Sequence, residues 1–419
     1  MKIALIAEEF FPDIGGISQN FNSFCKSFRY QKHKLFVFNP NYKGKRIFKI
    51  FDNNEYTIKD LVFFIKNKKL IYYLLLSLSK IISDKQIKFA FRLRMAMYLF
   101  VKPKILIQTI KNISSLYLYF KKLDIDIIFG GASSGNVLTV IYILSRMFKT
   151  KVISYAHGNE FLVRSSWSLK TFYLKSLDKV ILSNNTTKHL IKKINHLKDT
   201  QLNVIHYGLI LKEYEIKQSK EELRKNKNIS DEKFILISIG RHVSRKKFDL
   251  VIKAIYEIKK KTPSIDLKYF LIGGGAETAN LKKLTNQLDL ENEVEFLGAF
   301  AGKKKNEFLK LSDVFLMPSI AEKESIEGFG IVFLEANYYK VPVIGSRSGG
   351  IVEAIQNKKT GLLINPNNLQ DLVEAILYLY ENKEKRIEMG ENGYNRVIKE
   401  FNWSVLIEIY IKFFEELLK

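Results

Sequence analysis

The feature that most constrains this chain is a recurring alternation of short, nearly uninterrupted apolar runs with longer segments of helical period. In the first half the runs fall at 2–7, 35–39, 126–130, 152–156, 179–183 and 203–207; in the second they fall at 234–239, 268–273, 294–297, 314–317, 341–345 and 361–364. Strands that are apolar at successive positions, rather than at every second one, are covered by helices on both faces. Their alternation with helical segments is the signature of a parallel, doubly wound sheet. The chain is therefore predicted to be α/β, with two Rossmann-like doubly wound parallel-sheet domains. Its 419 residues suit two or three domains at roughly 150 residues each. The stretch 212–233, rich in Lys, Glu and Asn and without strong apolar periodicity, marks the boundary. It divides an N-terminal domain, 1–211, from a C-terminal one, 212–395, with 396–419 left as a closing helix.

Composition narrows the class further. A hydrophobic content of 47% with 13% aromatic residues excludes disorder, and 22 Gly with 7 Pro exclude a collagen-like or low-complexity chain. The single cysteine, Cys25, rules out an internal disulfide and a multi-cysteine zinc site, which suits a reducing cytoplasm. The apolar run at the start meets Glu8-Glu9 too soon to form a signal-peptide core, so no secretion signal is expected. The uncharged stretch 127–145 contains Gly130-Gly131 and Ser133-Ser134-Gly135-Asn136, and reads as strand, loop and helix start rather than as a membrane span.

Lys and Arg number 68 against 43 Asp and Glu, a net charge of +25, which implies anionic partners. About half of that excess sits in 59–122, where fourteen Lys and Arg face two acids and are interleaved with Phe, Tyr, Leu and Ile. Basic amphipathic segments of this kind lie on anionic membrane surfaces. The alternative is that their apolar faces are buried and the lysines merely solvated. No nucleic-acid-binding motif is present, and no nucleic-acid partner is expected.

Five places carry candidate chemistry. Gly15-Gly16 follows the first strand and opens a helix, so free N–H groups at a positive helix end could hold a phosphate there, or the pair is simply a turn. Gly240-Arg241 closes the first strand of the second half, followed by Arg245-Lys246-Lys247. Cations at the carboxyl edge of a parallel sheet face the crevice where ligands bind. Arg241 can make two charge-assisted bonds to a diphosphate, and Lys246 can act as a point charge. Gly273-Gly274-Gly275 either admits a ligand to close backbone approach or makes a tight turn. The strongest signal is Glu327-Gly328-Phe329-Gly330-Ile331-Val332-Phe333-Leu334-Glu335. A helix starting near Gly330 would aim its first N–H groups at a ligand, and two acids flanking that helix end suit sugar hydroxyls on either side of a diphosphate. His157 ends the strand 152–156 and is placed to meet a sugar or leaving group, or to serve as a packing residue.

These motifs, in this order and joined by Ser348-Gly349-Gly350, Glu353 and Thr360-Gly361-Leu362-Leu363, resemble the retaining glycosyltransferases of the GT-B fold, family GT4. Within that family the chain resembles the phosphatidylinositol mannosyltransferase type, of glycosyltransferase group 1. The resemblance spans 11 to 363 and is more specific in the second half. It implies two Rossmann-like domains facing a central cleft, a nucleotide-sugar donor linked to UDP or GDP, and no cofactor or metal. In such enzymes Arg241 and Lys246 hold the diphosphate, while Gly15, Gly16 and the amides of Ile331 and Val332 add backbone bonds. Gly273 and Gly328 belong to the donor site, and Glu335 binds the ribose. Glu327, with the Phe329 and Gly330 amides, holds hydroxyls of the transferred sugar, which His157 contacts from the other domain. The final helix, including Trp403, resembles the segment that crosses back to the N-terminal domain.

Three departures from the family pattern stand out. Residues Ile320 to Ile326 lengthen the link before Glu327, as in some relatives that glycosylate lipids. Lys247 stands where Gly is common, so that either Lys246 or Lys247 could be the phosphate ligand. His206-Tyr207-Gly208 replaces a frequent Pro-Asn-Gly. Asp124-Ile125-Asp126 spells the D-x-D of metal-dependent glycosyltransferases but leads into a strand with no other ligands near it in sequence, so it is read as structural. The expected activity is hexosyl transfer to a lipid-linked or cell-envelope polysaccharide acceptor, by a cytoplasmic protein peripheral on the inner face of the cytoplasmic membrane. A sugar-nucleotide epimerase or hydrolase of the same fold, or a non-catalytic membrane- or polyanion-binding protein, are the alternatives.

Overall fold

Two doubly wound sheets form where the apolar runs place them, in a computed structural model that describes residues 1–7, 16–28, 32–38, 48–50, 116–117, 120–131, 135–157, 173–322 and 325–419. The first sheet contains β1 (Lys2–Ile6), β2 (Lys34–Phe38), β3 (Phe48–Ile50), β4 (Ile127–Gly130), β5 (Lys151–Ala156), β6 (Lys179–Leu182) and β7 (Leu202–Val204), in the order β3-β2-β1-β4-β5-β6-β7. The second contains β8 (Phe234–Ile239), β9 (Leu267–Ile272), β10 (Val294–Gly298), β11 (Val314–Met317), β12 (Val343–Ser346) and β13 (Gly361–Ile364), in the order β10-β9-β8-β11-β12-β13. Both orders reverse direction beside the first strand of the sheet, and such a switch point leaves a crevice at the carboxyl ends of the strands.

The expectation of six parallel strands in the first half needs one amendment. β3 is a seventh strand and runs antiparallel to β2, with Phe36 opposite Ile50. Phe-Lys-Ile is too short for its pattern to be read as a strand, and an edge strand needs only one partner. The stretch 127–145 divides into β4 and the helix Gly135–Phe148, and no described helix is long and apolar enough to cross a membrane. The basic segment 59–122 lies outside the described residues except at its end, where Leu116 and Phe120 are buried in the core of the first unit.

By its internal packing the chain divides into two units. Met1–Ser183, Thr187–Ile205 and Ile407–Lys419 form the first, and Asn184–Thr186 with His206–Leu406 form the second. The first unit has an aromatic core in which the Phe24 ring meets Phe28, Phe129, Tyr410 and Phe414, the last two from the final helix, Trp403–Leu418. In the second unit the helices Phe248–Lys261 and Leu369–Glu381 pack against each other. The stretch 212–233 is more ordered than its weak periodicity suggests. It holds the helix Lys220–Lys225, closed at its start by a capping box in which the Ser219 side chain and Glu222 satisfy each other's backbone N–H groups. That Ser-x-x-Glu signal, not periodicity, marks a helix this short.

This helix is tied to the sheet through Asp313. Its carboxylate accepts from Arg224 Nη2 at 2.7 Å, Lys220 Nζ at 2.7 Å and the Ile235 N–H at 2.7 Å. Burial alone would raise the Asp313 carboxyl, but Lys220 and Arg224 outweigh it and hold it below its ordinary range. A carboxyl lowered in the folded state stabilises the fold above the unfolded carboxylate range, and that contribution is lost as pH falls through the lowered native value. Asp313→Asn strands Arg224, whose side chain is 3% exposed. It should cost about 3–5 kcal/mol in denaturant unfolding and flatten the acid limb of the stability profile. An unchanged midpoint would contradict this role.

Candidate active site

The segment Glu327 to Val332 is shaped by what holds its backbone. The Gly350 N–H donates to the Glu327 carbonyl at 2.9 Å, and the Asn184 side-chain amide donates to the Gly328 carbonyl. Phe329 is 1% exposed and anchors the loop, its ring stacked on His206 at 5.4 Å and packed near Tyr207 and Phe401. Gly330 caps the helix Ile331–Tyr338 at φ 81°, and a Cβ there would meet the Phe333 ring at 2.7 Å. Only glycine satisfies both demands. Ile331 and Val332 thus open an eight-residue helix, whose first N–H groups have no partner within the helix. Lys323 and Glu324, in the lengthened link, lie outside the described residues; Glu322 and Ser325 form an isolated antiparallel bridge, and the Ile320 N–H donates to the Arg245 carbonyl.

The Glu327 carboxylate is the centre of a buried ion cluster. Arg245 Nη1 and Lys246 Nζ each donate to Oε2 at 2.6 Å, and Lys246 Nζ also lies 3.0 Å from Met317 Sδ. Burial opposes ionisation of Glu327, yet Lys246 and Arg245 prevail and lower its pKa to about 2. Burial pushes the Lys246 ammonium below its ordinary value, with Glu327 opposing and Arg245 and Arg241 adding to the shift. Two cations against one carboxylate leave an excess of positive charge, and among the described residues none donates to Oε1. Arg241 stays exposed, one residue beyond Gly240, close enough to bear on Lys246. Lys247 explains the departure noted in the sequence. Its φ is 54°, the left-handed region where glycine is favoured, and this turn buries Lys246 while Lys247 remains half-buried.

Glu335 lies apart from that cluster, one turn into the helix and 1% exposed. Its Oε2 accepts from Lys305 Nζ at 2.6 Å and its Oε1 from the Tyr214 hydroxyl at 2.8 Å. Gly273 serves close packing of strand ends. A Cβ on it would collide with the Gly240 carbonyl and come within 3.2 Å of His242 Nε2, while Gly274 has nothing within 4 Å.

In the first unit, Gly16 begins the helix Gly16–Phe28, and Gly15 lies outside the described residues. His157 is 7% exposed, bonded through Nε2 to the Gly131 carbonyl at 2.9 Å and stacked on Tyr155 at 4.7 Å. The acids of Asp124-Ile125-Asp126 serve β1. Asp126 accepts from the Lys2 N–H at 2.7 Å, and the exposed Asp124, at φ 52°, is 3.6 Å from Lys2 Nζ. Among the described residues no cluster of three or more metal-ligating side chains occurs.

Sequence reasoning did not assign Arg245, Lys305 or Tyr214. Lys305 precedes Phe308 by three residues and Leu309 by four, both buried, a spacing that places it on the packed face of its helix. The short helical turn over Ser244–Lys246 is what brings Arg245 beside Lys246. Nothing in the sequence around Tyr214 marks it.

Two units of this topology define the GT-B class of fold. Residues 219–396 match the family described as glycosyl transferases group 1. The chain is 31% identical over 190 residues to a GDP-mannose-dependent alpha-(1-6)-phosphatidylinositol monomannoside mannosyltransferase of Mycobacterium tuberculosis, an alignment covering 45% of this chain and 49% of the relative. The chain thus spans about half the length of that relative. It is 25% identical to an uncharacterized glycosyltransferase of Methanocaldococcus jannaschii, over 100% of this chain and 99% of the relative. The Anabaena protein HepE, solved with UDP and glucose, superimposes with a TM-score of 0.69 at 16% identity, covering 99% of this chain and 100% of its own. Sucrose-phosphate synthase of Thermosynechococcus elongatus does so with a TM-score of 0.72 at 18% identity, covering 100% of this chain and 99% of its own.

The cluster makes an unusual demand on its variants. Glu327→Gln leaves Lys246 and Arg245 buried without a counter-charge, which should cost about 3–5 kcal/mol. Inorganic pyrophosphate should then raise the melting temperature of the variant more than that of the parent protein, as followed by thermal shift. An equal or smaller rise would show that the cations are not available to an anion.

Proposed function

We propose that the chain is a retaining glycosyltransferase that moves a hexosyl residue from a UDP- or GDP-sugar to a lipid-linked or cell-envelope polysaccharide acceptor. The observation that carries this reading is the buried, cation-rich cluster of Glu327, Arg245 and Lys246 next to the start of the helix Ile331–Tyr338. It lies within the stretch that matches the glycosyl transferases group 1 family. Helix starts and paired cations favour phosphate groups, and Glu327 Oε1 can accept from a sugar hydroxyl.

In this reading Arg241 and Lys246 hold the diphosphate, and the Ile331 and Val332 amides add backbone donors. Glu335 takes the ribose, and Glu327 the transferred sugar. The bond from the anomeric carbon to the β-phosphate oxygen breaks as the bond to the acceptor oxygen forms on the same face. As that bond breaks, negative charge grows on the departing diphosphate oxygen, where the cations sit, and that oxygen then takes the acceptor's proton. Fixed positive charge at such a point lowers the barrier by about 2–4 kcal/mol per contact. That charge offsets the diphosphate without a divalent ion.

The acceptor side rests on two observations. The basic aromatic segment 59–122 suits an anionic lipid surface, and the Mycobacterium tuberculosis relative is named for a phosphatidylinositol glycolipid substrate. The full chain should sediment with vesicles containing anionic lipid and be released by salt, and indifference to lipid charge would remove the membrane from the proposal. A screen of UDP- and GDP-sugars should find one donor consumed only when acceptor is present, since donor lost or isomerised without acceptor would point to a hydrolase or epimerase. With that donor, Arg241→Ala and Lys246→Ala should each lower kcat by about two orders of magnitude. Near-parental rates in both would remove the diphosphate assignment.

A further inference from the structure

Apart from the Glu327 cluster, the second sheet carries a cavity at its edge. Arg241 and Lys246 follow β8, which neighbours β11; β12 and then β13, the outermost strand, lie on the far side of β11. The cavity is at the carboxyl end of that outer pair. Arg347 follows β12, Leu363 is the next-to-last residue of β13, and both line it together with Val352, Gln356, Asn357 and Arg396. Its volume is about 480 Å³, inside the range of roughly 300–1,000 Å³ that small-molecule sites occupy. The backbone that carries Arg347 is fixed. Its N–H donates to the Ile364 carbonyl at 2.8 Å, and three residues on the Gly350 N–H donates to the Glu327 carbonyl. A Cβ on Gly349, at φ 56°, would come within 2.5 Å of that carbonyl, so the turn after Arg347 packs closely on the Glu327 loop.

The charges around this cavity are unequally committed. Glu353, the acid on its wall, accepts from the Asn185 N–H, the Thr186 N–H and the Asn185 side-chain amide, each at 2.9 Å, and from the Thr186 hydroxyl at 3.3 Å. Four donors saturate a carboxylate. Arg396 is also engaged: Nε pairs with Glu400, and Nη1 and Nη2 donate to the Ala354 and Glu353 carbonyls, all at 2.9 Å. Arg347 has no such commitment. Among the described residues its exposed guanidinium meets neither an acid nor a carbonyl, and the Gln356 side-chain amide is equally without a partner. Beside them stand the apolar side chains of Val352, Ile355 and Leu363, Val352 being 41% exposed. A guanidinium takes an oxyanion through two parallel bonds, an amide bonds hydroxyls, and aliphatic side chains cover the C–H face of a ring. We propose that the cavity binds an anionic sugar, a saccharide ring carrying a carboxylate or a phosphate, and that Arg347 takes its oxyanion. This site is separate from the cation cluster assigned to the diphosphate and does not depend on that assignment.

The test is calorimetric titration of the full chain with glucuronate, glucose 6-phosphate and the neutral methyl glucoside. At least one anionic sugar should bind, with the neutral glycoside weaker by on the order of tenfold or more, the worth of a hydrogen bond to a charged group. Whichever anionic sugar binds more tightly identifies the oxyanion. Arg347→Gln should weaken that sugar by on the order of tenfold or more. Val352→Trp, which fills the cavity without touching a charge, should weaken it too, whereas Lys246→Ala should leave it nearly unchanged. Should Val352→Trp fail to fold, Arg347→Gln, at an exposed position, carries the test with the neutral glycoside as its control. Binding that is lost in Lys246→Ala and kept in Arg347→Gln would put the anion in the Glu327 cluster and overturn the proposal. Equal affinity for the neutral glycoside would overturn it as well. A chain that binds UDP or GDP but neither anionic sugar overturns this site and spares the donor cluster.

Discussion

The site depends on one carboxylate shared by two cations. Glu327 satisfies Arg245 and Lys246 through a single oxygen, and all three side chains are buried or nearly so. Paired charges in such surroundings are costly to separate. The cluster keeps a surplus of positive charge, two cations to one carboxylate. The loop that presents Glu327 is in turn held by backbone and aromatic contacts, through Gly350, Asn184 and Phe329. Gly330, in the left-handed region, then leads the chain into the helix Ile331–Tyr338, whose first N–H groups have no partner within the helix.

A second carboxylate, Glu335, is handled differently. Where Glu327 faces a surplus of cations through one oxygen, Glu335 is held through both oxygens by one ammonium and one hydroxyl. The first arrangement leaves net positive charge, suited to phosphate. The second is balanced, one ammonium against one carboxylate. Two acids eight residues apart thus become different tools because their neighbours differ, which the spacing of the acids by itself does not reveal.

Much of the fold was legible in the sequence. Continuous apolar runs located the strands of both sheets because strands buried on both faces leave no polar alternation to confuse the reading. β3 escaped, since three residues at an edge carry no pattern, and the helix Lys220–Lys225 was visible only through its capping box. Around the site, the order of motifs brought out Glu327, Lys246 and Arg241. Side-chain direction was beyond reach: Lys246 is buried at the end of a short helical turn, while Lys247 is half-buried and Arg241 exposed. The partners Arg245, Lys305 and Tyr214 come from turns and helices whose meeting depends on tertiary packing, and in the sequence they look like ordinary members of a lysine-rich, tyrosine-rich chain.

Donor binding as proposed requires the cation cluster of the second unit to grip a diphosphate. A crystal structure of the protein soaked with UDP or GDP tests this most directly. Phosphate oxygens are expected within hydrogen-bond distance of Arg241, Lys246 Nζ and the Ile331 amide, with the ribose toward Glu335. Nucleotide bound elsewhere on the molecule, with these groups untouched at saturating ligand, would contradict it.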